Sequence, residues 1–350
     1  MPLISPNVRL IGLLLLLLLA FLLDISVGSV KIPLRDVFHI LFSSSSSPSS
    51  IDDTWRFIVE KIRVPKACTA VLAGCGLSVS GLQMQTLFRN PLADPAVLGI
   101  TAGASLGVAM VMLTGGSIAT LFAIRELGVS GSLLITVAAC LGAGVVMVLV
   151  LLLSGRLRDN VLMLIIGLMI SSITTSIISI WQYFSSPEEV KDYLLWLFGS
   201  LGGVTGGQLL ILGIVTILGL IMAWLSSKML DALLLGENYA RSMGLNPKQA
   251  RLIIICSSSL LAGSITAFCG PIGFVGIAVP HITRQLFRTS SHRTLVPACC
   301  LIGTLLLLLC DVLSQLPGNQ TVLPINIITA LIGAPVVITL LLRQKNINVF

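Results

Sequence analysis

Charged residues are scarce in this sequence. Only 10% of its 350 residues are Asp, Glu, Lys or Arg, whereas 55% are hydrophobic and 5% are aromatic. Soluble domains carry about 25% charged residues, so the composition excludes an ordinary soluble protein. The sequence therefore predicts a protein whose natural solvent is lipid.

Asp, Glu, Lys and Arg are missing from the middle of every long apolar segment. Asp24 and Asp311 lie only near segment ends. A carrier driven by an ion gradient usually buries carboxylates, His or Lys near the bilayer midplane, so this class is disfavoured. Any pathway through the protein is expected to be lined by Ser, Thr, Gln and Gly.

Sequence features of enzymes are also lacking. No phosphate-binding G-x-x-x-x-G-K-[ST] sequence is present, so a chain driven by ATP would need another polypeptide to hydrolyse it. The three histidines (His39, His281, His292) are scattered, and His281 is expected to be structural. The eight cysteines have no metal-site spacing. We expect no enzymatic activity, no metal site and no bound cofactor.

Ten apolar segments, each about as long as a membrane crossing, dominate the chain. We therefore predict an all-α polytopic membrane protein that forms a single transmembrane domain over residues 1–350. A signal peptide is a possible alternative for the first segment, disfavoured because no clear cleavage site follows. The predicted spans are Val8–Val27, Ala67–Leu87, Ala96–Leu113, Gly131–Ser154, Val161–Phe184, Gln208–Ser226, Leu252–Phe268, Ile272–Phe287, Thr294–Leu316 and Leu323–Leu342.

The distribution of basic residues predicts the orientation of the chain. With the N-terminus inside, most of the 21 Lys and Arg lie in inner loops, so both termini are expected in the cytoplasm. The net charge is +7, but the Lys and Arg residues are spread over short loops and form no basic stripe, so no nucleic-acid partner is expected. The same topology gives an outer loop over residues 28–62, with a Ser-rich run at Ser43–Ser50, and an inner loop over residues 227–250.

Small residues and turn formers give further local predictions. Ala70, Gly74 and Ser78 in one span, and Gly99, Gly103 and Gly107 in the next, recur at four-residue spacing, which is typical of close helix packing. The outer segment from Ser185 to Gly207 combines Pro, Glu and Trp with a Gly-rich tail. It predicts a short interfacial helix followed by a turn.

Three polar stretches interrupt the apolar pattern. The first contains Arg63-Val64-Pro65-Lys66 and, at residues 89–95, R-N-P-L-A-D-P. The second, at residues 236–245, is G-E-N-Y-A-R-S-M-G-L. The third runs from Gly270 to Pro335 and includes G-P-I-G-F-V-G, P-H-I-x-R and T-A-L-I-G-A-P. Together they resemble the FecCD/BtuC-type permease family, the membrane subunits of importers for iron siderophores, haem and vitamin B12.

This resemblance implies a type II importer fold and a role in an ATP-binding cassette importer of the bacterial inner membrane. The implied partners are a second permease copy, two ATPase subunits that use ATP and Mg²⁺, a periplasmic or lipid-anchored binding protein, and membrane lipid. The cargo would be an iron chelate such as a ferric siderophore, haem or cobalamin. An ion-coupled secondary transporter of a small solute is the alternative.

The resemblance also implies three functional sites. A cytoplasmic gate would include Asn90 and Leu92, with a weaker match at Asn160 and Val161. Arg63 and Lys66 would dock the binding protein, or else anchor lipid headgroups, and Gln315 replaces a third docking Arg of the family. The segment that couples to the ATPase would contain Gly236, Glu237, Ala240, Arg241, Met243 and Gly244.

Helical spacing adds two detailed expectations for the coupling segment. Ala240 and Met243 lie three residues apart and are expected to share one face of a short helix. Glu237 and Arg241 are expected to form an i,i+4 ion pair on another face.

Overall fold

The computed structural model describes residues 6–28, 30, 32–42, 53–113, 131–156, 160–204, 206–315 and 322–344. All regular structure in these ranges is helical, so the predicted all-α class is confirmed. The predicted Ser-rich run at Ser43–Ser50 lies outside the described residues. The helices are α1 Pro6–Ser26, α2 Leu34–Phe42, α3 Asp53–Phe57, α4 Val64–Phe88, α5 Ile100–Met112, α6 Gly131–Arg156, α7 Asn160–Phe184, α8 Pro187–Leu197, α9 Gly206–Leu225, α10 Ser227–Leu234, α11 Glu237–Ser242, α12 Pro247–Cys269, α13 Val275–Phe287, α14 His292–Gln315 and α15 Ile325–Gln344.

The described helices fall into long and short apolar elements. Seven of those described are long and apolar enough to cross a membrane by length and composition, namely α1, α3 to α4 as one run, α6, α7, α9, α12 and α14. The other three predicted spans correspond to α5, α13 and α15. With 13 residues each, α5 and α13 reach only about 20 Å, because an α-helix rises about 1.5 Å per residue. They are shorter than a full crossing.

The second long helix begins earlier than its sequence indicates. A π-helical segment, Ile58–Arg63, joins α3 directly to α4, so one helical run extends from Asp53 to Phe88. Pro65 lies where the π-helical segment passes into α4, inside the continuous run, and it has no N–H to donate to the preceding turn. The predicted outer loop at residues 28–62 therefore contains helices, including α2.

Helix α4 forms the centre of the bundle. Most of its residues are buried, and it packs against α9, α12, α13 and α14. In contrast, only a minority of the residues in α1, α6, α7 and α9 are buried within the chain. The surfaces of these four helices are thus available to lipid or to another protein.

Glycines allow the backbones around α4 and α5 to approach closely. A Cβ atom at Gly74 would lie 2.5 Å from the carbonyl oxygen of Gly303 in α14, and one at Gly81 would lie 1.9 Å from that of Gly276 in α13. Gly103 of α5 packs in the same way against Gly142 of α6. The predicted packing role of the two small-residue strips is confirmed.

The segment after α7, which was predicted to lie on the outer side, has the predicted short helix and turn. Ser186 caps α8 by accepting a hydrogen bond from the Glu189 backbone N–H, while the Glu189 carboxylate accepts one from the Ser186 N–H. After α8 the chain turns at Gly199, whose φ of 72° lies in the left-handed region. The turn brings the Ser200 N–H to the Cys269 carbonyl at the end of α12, 2.7 Å away.

The bundle has two ends, which we call the α2 end and the α11 end. The start of α4 and the ends of α1 and α14 meet at the α2 end, where Lys66 contacts Asp311. The end of α4 and the start of α14 meet at the α11 end, where Thr86 contacts His292.

The backbone approach at Gly81 provides a test of the packing. Gly81→Ala should lower the free energy of unfolding by about 1–3 kcal/mol, because its Cβ would collide with rigid backbone. The measurement is the midpoint of thermal unfolding of the purified protein in detergent. Gly144→Ala in α6 is the control, since a Cβ there meets nothing within 4 Å. Equal midpoints for the two variants would contradict the packing described here.

Candidate transport, gating and coupling sites

Helix α7 carries an exposed face of hydroxyl groups. Ser172, Thr175, Ser176 and Ser179 are exposed, and each hydroxyl donates to the carbonyl four residues earlier at 2.9–3.0 Å. Because each proton is bound within the helix, the hydroxyl oxygens present mainly acceptor capacity outward. Such a face is polar but holds a passing molecule weakly.

The polar side chains of α4 connect it to neighbouring helices. Gln83, Gln85 and Ser80 are fully or almost fully buried. Ser80 and Gln83 bond Ser258 and Ser257 of α12, and Gln85 donates to the carbonyls of Gly276 and Ile277 in α13. The Gln side chains thus hold helices together and line no exposed pathway within this chain.

The loop after α4 is rigid at its start and at its end. Arg89 ends α4 in the left-handed conformation, with φ of 48°. The Asn90 Oδ1 accepts a hydrogen bond from the Leu92 N–H at 3.0 Å, and the Asp94 Oδ1 accepts one from the Ala96 N–H at 2.9 Å. These hydrogen bonds stabilise local turns of the backbone around Pro91 and Pro95.

The predicted gate residues lie toward one end of the bundle. The 3₁₀ turn Pro95–Leu98 packs on α7, where a Cβ at Gly167 would lie 2.2 Å from the Val97 carbonyl oxygen. Leu92 and Val161 are exposed by 40% and 60%, respectively. The side chain of Asn160 lies outside the described residues. A gating role for all four residues, including Asn90, stays a prediction.

The predicted inner loop at residues 227–250 contains two short helices, α10 and α11, and the predicted coupling segment includes α11. Gly236 separates them with φ of 117°, a conformation that L residues rarely adopt. Ala240 is completely buried, whereas Met243 lies just beyond the end of α11 and is 62% exposed. The expectation that Ala240 and Met243 share one face is therefore wrong. Arg241 and Gly244 are exposed beside Met243.

Glu237 also has a different partner from the one expected. Its Oε1 lies 2.7 Å from a guanidinium nitrogen of Arg251, which is nearly buried near the start of α12. The predicted i,i+4 pair of Glu237 with Arg241 is wrong because Arg251 is the ion-pair partner. This pair fixes the start of α11 against α12.

Helix α10 is connected to the end of α4 by Arg89. The Arg89 guanidinium donates two hydrogen bonds to the Leu233 carbonyl, at 3.2 Å from Nε and 2.8 Å from a terminal nitrogen. Leu233 lies in the last turn of α10, where carbonyls have no partner within the helix. Arg89, the residue that precedes Asn90, therefore connects α10 to the end of α4.

A second connection to α10 runs through the fully buried His292. Its Nδ1 and its backbone N–H lie 2.6 and 2.9 Å from the Asp231 Oδ1 in α10, and its Nε2 lies 2.8 Å from the Thr86 Oγ1 in α4. Partial burial alone would raise the pKa of the Asp231 carboxyl, but the hydrogen bonds from His292 outweigh it and lower that pKa. Asp231 is thus an ionised acceptor, so His292 carries a proton on Nδ1.

At the α2 end, Arg63 is occupied by its own chain. The guanidinium is 7% exposed and donates to the carbonyls of Ile25, Ser26 and Val30, at 2.8 and 2.9 Å for the first two. These carbonyls lie at and after the end of α1. The predicted docking role stays a prediction, but the guanidinium would have to leave these carbonyls to reach another protein.

The second predicted docking cation belongs to a buried polar cluster. The Lys66 Nζ lies 2.9 Å from the Asp311 Oδ1, and the Gln315 Nε2 donates to the Asp311 Oδ2 at 3.1 Å. Asp24 of α1 is 3% exposed and lies beside Asp311, and its Oδ1 has no hydrogen-bond partner among the described residues. Gln315, where the resembled family has Arg, thus supports Asp311 from within the chain.

His281 has the structural role expected for it. It is 8% exposed and hydrogen-bonds to the backbone of Pro91, so it fastens α13 to the loop after α4. Nearby, a guanidinium nitrogen of Arg284 donates to the Gln85 Oε1 at 2.7 Å.

The apolar helical bundle, with seven described helices long and apolar enough to cross a membrane, is typical of a polytopic membrane protein. Comparison with known proteins gives the particular family: the chain belongs to the FecCD transport family, whose model matches residues 16–343. The predicted resemblance is confirmed over nearly the whole chain.

Curated relatives and solved structures agree with this assignment. The hemin transport system permease protein HmuU of Yersinia pestis is 32% identical and the alignment covers 98% of this chain and 97% of the relative. The vitamin B12 import system permease protein BtuC of Klebsiella pneumoniae is also 32% identical, with coverage of 96% and 94%. A metal-chelate type ABC transporter solved in an inward-facing conformation is 28% identical, with a TM-score of 0.80 and coverage of 97% and 100%. The chain therefore has the fold of an importer permease.

Sequence reasoning missed the residues that connect the coupling segment to the bundle. Thr86, Asp231 and His292 are separated by 61 to 206 positions, and Arg251 lies 14 positions from Glu237. No local spacing could have paired them. The only usable sequence signal was an isolated ionisable residue next to the start of an apolar span, at His292 and Arg251.

The environment of Arg63 gives a prediction that separates a structural role from docking. Arg63→Ala should lower the free energy of unfolding by about 1–3 kcal/mol, because three carbonyls lose their donor. Thermal unfolding in detergent measures the change. Lys61→Ala, which removes an exposed cation two positions away, is the control. An unchanged midpoint for Arg63→Ala together with weakened binding-protein association would instead support docking alone.

Proposed function

We propose that this chain is the membrane subunit of an ATP-driven importer whose cargo is an iron chelate, with a ferric siderophore as the first candidate and haem or cobalamin as the others. The observation that carries this proposal is the family match over residues 16–343. The printed functions of the relatives, hemin transport and vitamin B12 import, support a large chelate as cargo.

The exposed face of α7 supports translocation without tight binding. Its hydroxyl groups have their protons engaged within the helix. In this proposal, two copies of the chain place these faces around a central pathway. Asn90, Leu92, Asn160 and Val161 close its cytoplasmic end. The cargo is then selected by a separate binding protein that docks at the α2 end, where Lys66 is the partly exposed candidate contact.

Energy enters through the α11 end, which faces the cytoplasm together with both termini. Two ATPase subunits bind and hydrolyse ATP with Mg²⁺, and each contacts the segment containing Gly236, Glu237, Ala240, Arg241, Met243 and Gly244. The exposed apolar side chains of Leu235, Tyr239 and Met243, at 52–64% exposure, support this contact because they have no lipid to cover them outside the membrane. The complex alternates between outward-open and inward-open states.

Uptake dependent on ATP hydrolysis is the first expected outcome. Cells lacking their own importers should accumulate one of the labelled cargoes (ferric siderophore, haem or cobalamin) when this chain is expressed with its ATPase and binding protein. A hydrolysis-dead ATPase should abolish uptake. Uptake that survives the dead ATPase but collapses with an uncoupler would contradict the proposal and favour an ion-coupled secondary transporter.

The exposed apolar surface of the coupling segment gives a second expected outcome. Met243→Glu should weaken co-purification of the ATPase subunit, because a charge would be buried at the contact. The stability of the Met243→Glu permease should be unchanged, since Met243 is exposed. Gln249→Glu places the same charge on an exposed residue of α12 and should have little effect. Equal retention of the ATPase by both variants would place the contact elsewhere.

A further inference from the structure

Helix α10 links the predicted coupling helix α11 to the span α9 that precedes it in the chain. One residue separates α9 from α10, and two residues separate α10 from α11. Two of its residues, Asp231 and Leu233, bond groups of α4 and α14. The contacts of α10 therefore determine what a displacement of α11 can move on its N-terminal side.

The contacts of His292 join three helices by direct hydrogen bonds. Because Nδ1 carries a proton toward the ionised Asp231, a neutral imidazole accepts at Nε2 from the Thr86 hydroxyl. The order is Thr86 hydroxyl to His292 to Asp231. His292 is completely buried and its ring is rigid, so the distance between Thr86 in α4 and Asp231 in α10 is fixed by two short hydrogen bonds.

The Thr86 hydroxyl has a competing acceptor. Its Oγ1 lies 2.9 Å from the Leu82 carbonyl of its own helix as well as 2.8 Å from His292. One proton can serve only one of these acceptors well. The hydroxyl can therefore turn between Leu82 and His292, so the Thr86 contact has two arrangements and the proton is paired in both.

The same end of α4 leads into the predicted gate. Arg89 holds the Leu233 carbonyl, and Asn90 and Leu92 follow directly. Asn90 is four positions after Thr86, and α4 ends between them at Phe88. Any displacement of α10 that the Thr86 connection transmits reaches the start of this loop.

We propose that Thr86, His292 and Asp231 are positioning residues that transmit displacement of α10 and α11 to the gate-bearing end of α4. The inference rests on the proposed function, since it needs an ATPase that displaces α11. Hydrogen-bonded groups that have two discrete arrangements are suited to carry such coupling between sites. His292 contacts neither cargo nor nucleotide in this proposal.

The test uses the full complex of this chain, its ATPase and its binding protein in proteoliposomes. Two quantities are measured on each variant: ATP hydrolysed, and labelled ferric siderophore, haem or cobalamin imported, according to which the wild-type complex transports. Thr86→Val and Asp231→Ala break the connection. Thr86→Ser keeps the hydroxyl, and Asp231→Asn keeps an oxygen that can accept from His292. Thr69→Val is the matched control, because Thr69 is equally buried in α4 and bonds only the Pro65 carbonyl of its own helix.

Thr86→Val and Asp231→Ala should each lower the cargo imported per ATP by about fivefold or more while ATP hydrolysis persists. The double variant should lose little more than either single variant, because both break one connection. Thr86→Ser, Asp231→Asn and Thr69→Val should remain near the wild-type ratio. If Thr86→Val does not assemble, Asp231→Ala provides the same test without altering α4.

Three results would overturn the inference. Import and hydrolysis falling in the same proportion would indicate a structural role only. A loss by Thr69→Val equal to that by Thr86→Val would indicate a general effect of a buried hydroxyl in α4. Additive losses in the double variant would show two independent contacts. A wild-type complex that hydrolyses ATP but imports none of the three cargoes would contradict the proposed function and, with it, this inference.

Discussion

The close approach of α4 to its neighbours is the constraint on which the rest of the structure depends. Lipid gives apolar helices little reason to associate with one another, so packing and interhelical hydrogen bonds must hold the bundle together. Gly74 and Gly81 bring α4 into backbone contact with α14 and α13. At that distance the Gln and Ser side chains of α4 reach partners on α12 and α13, and their polar groups are satisfied without water. The outer helices then arrange themselves around this centre.

The two ends of α4 carry different polar clusters, and its middle carries none that is charged. Lys66, Asp311 and Asp24 meet at the α2 end, whereas Arg89 and the Thr86 to Asp231 connection lie at the α11 end. Most ionisable groups in these clusters have partners within the chain, whereas the Asp24 Oδ1 has none among the described residues. One helix of this chain therefore runs from the α2 end, where we propose that the binding protein docks, to the α11 end, where we propose that the ATPase docks.

Several corrections share one cause. Glu237 was paired with Arg241, and Ala240 with Met243, from their spacing in sequence, yet Glu237 has its ion-pair partner on another helix. A helix of only six residues such as α11 cannot impose an ideal face, because its end at Met243 already departs from helical geometry. The exposed hydroxyl face of α7, in contrast, follows directly from residue spacing along one long helix.

The sequence by itself determined the class of this protein. Apolar segments, small-residue strips, prolines at helix starts and the R-N-P-L-A-D-P stretch are local features, and the membrane leaves few alternatives to helices. Those features predicted the all-α fold, the helix around Pro187 and the family. Only the tertiary structure decided that Arg63 is a buried clamp, that Glu237 pairs with Arg251, and that His292 joins Thr86 to Asp231. The physical reason is that these contacts depend on which helix faces meet and at what depth, and spacing along the chain carries no information about either.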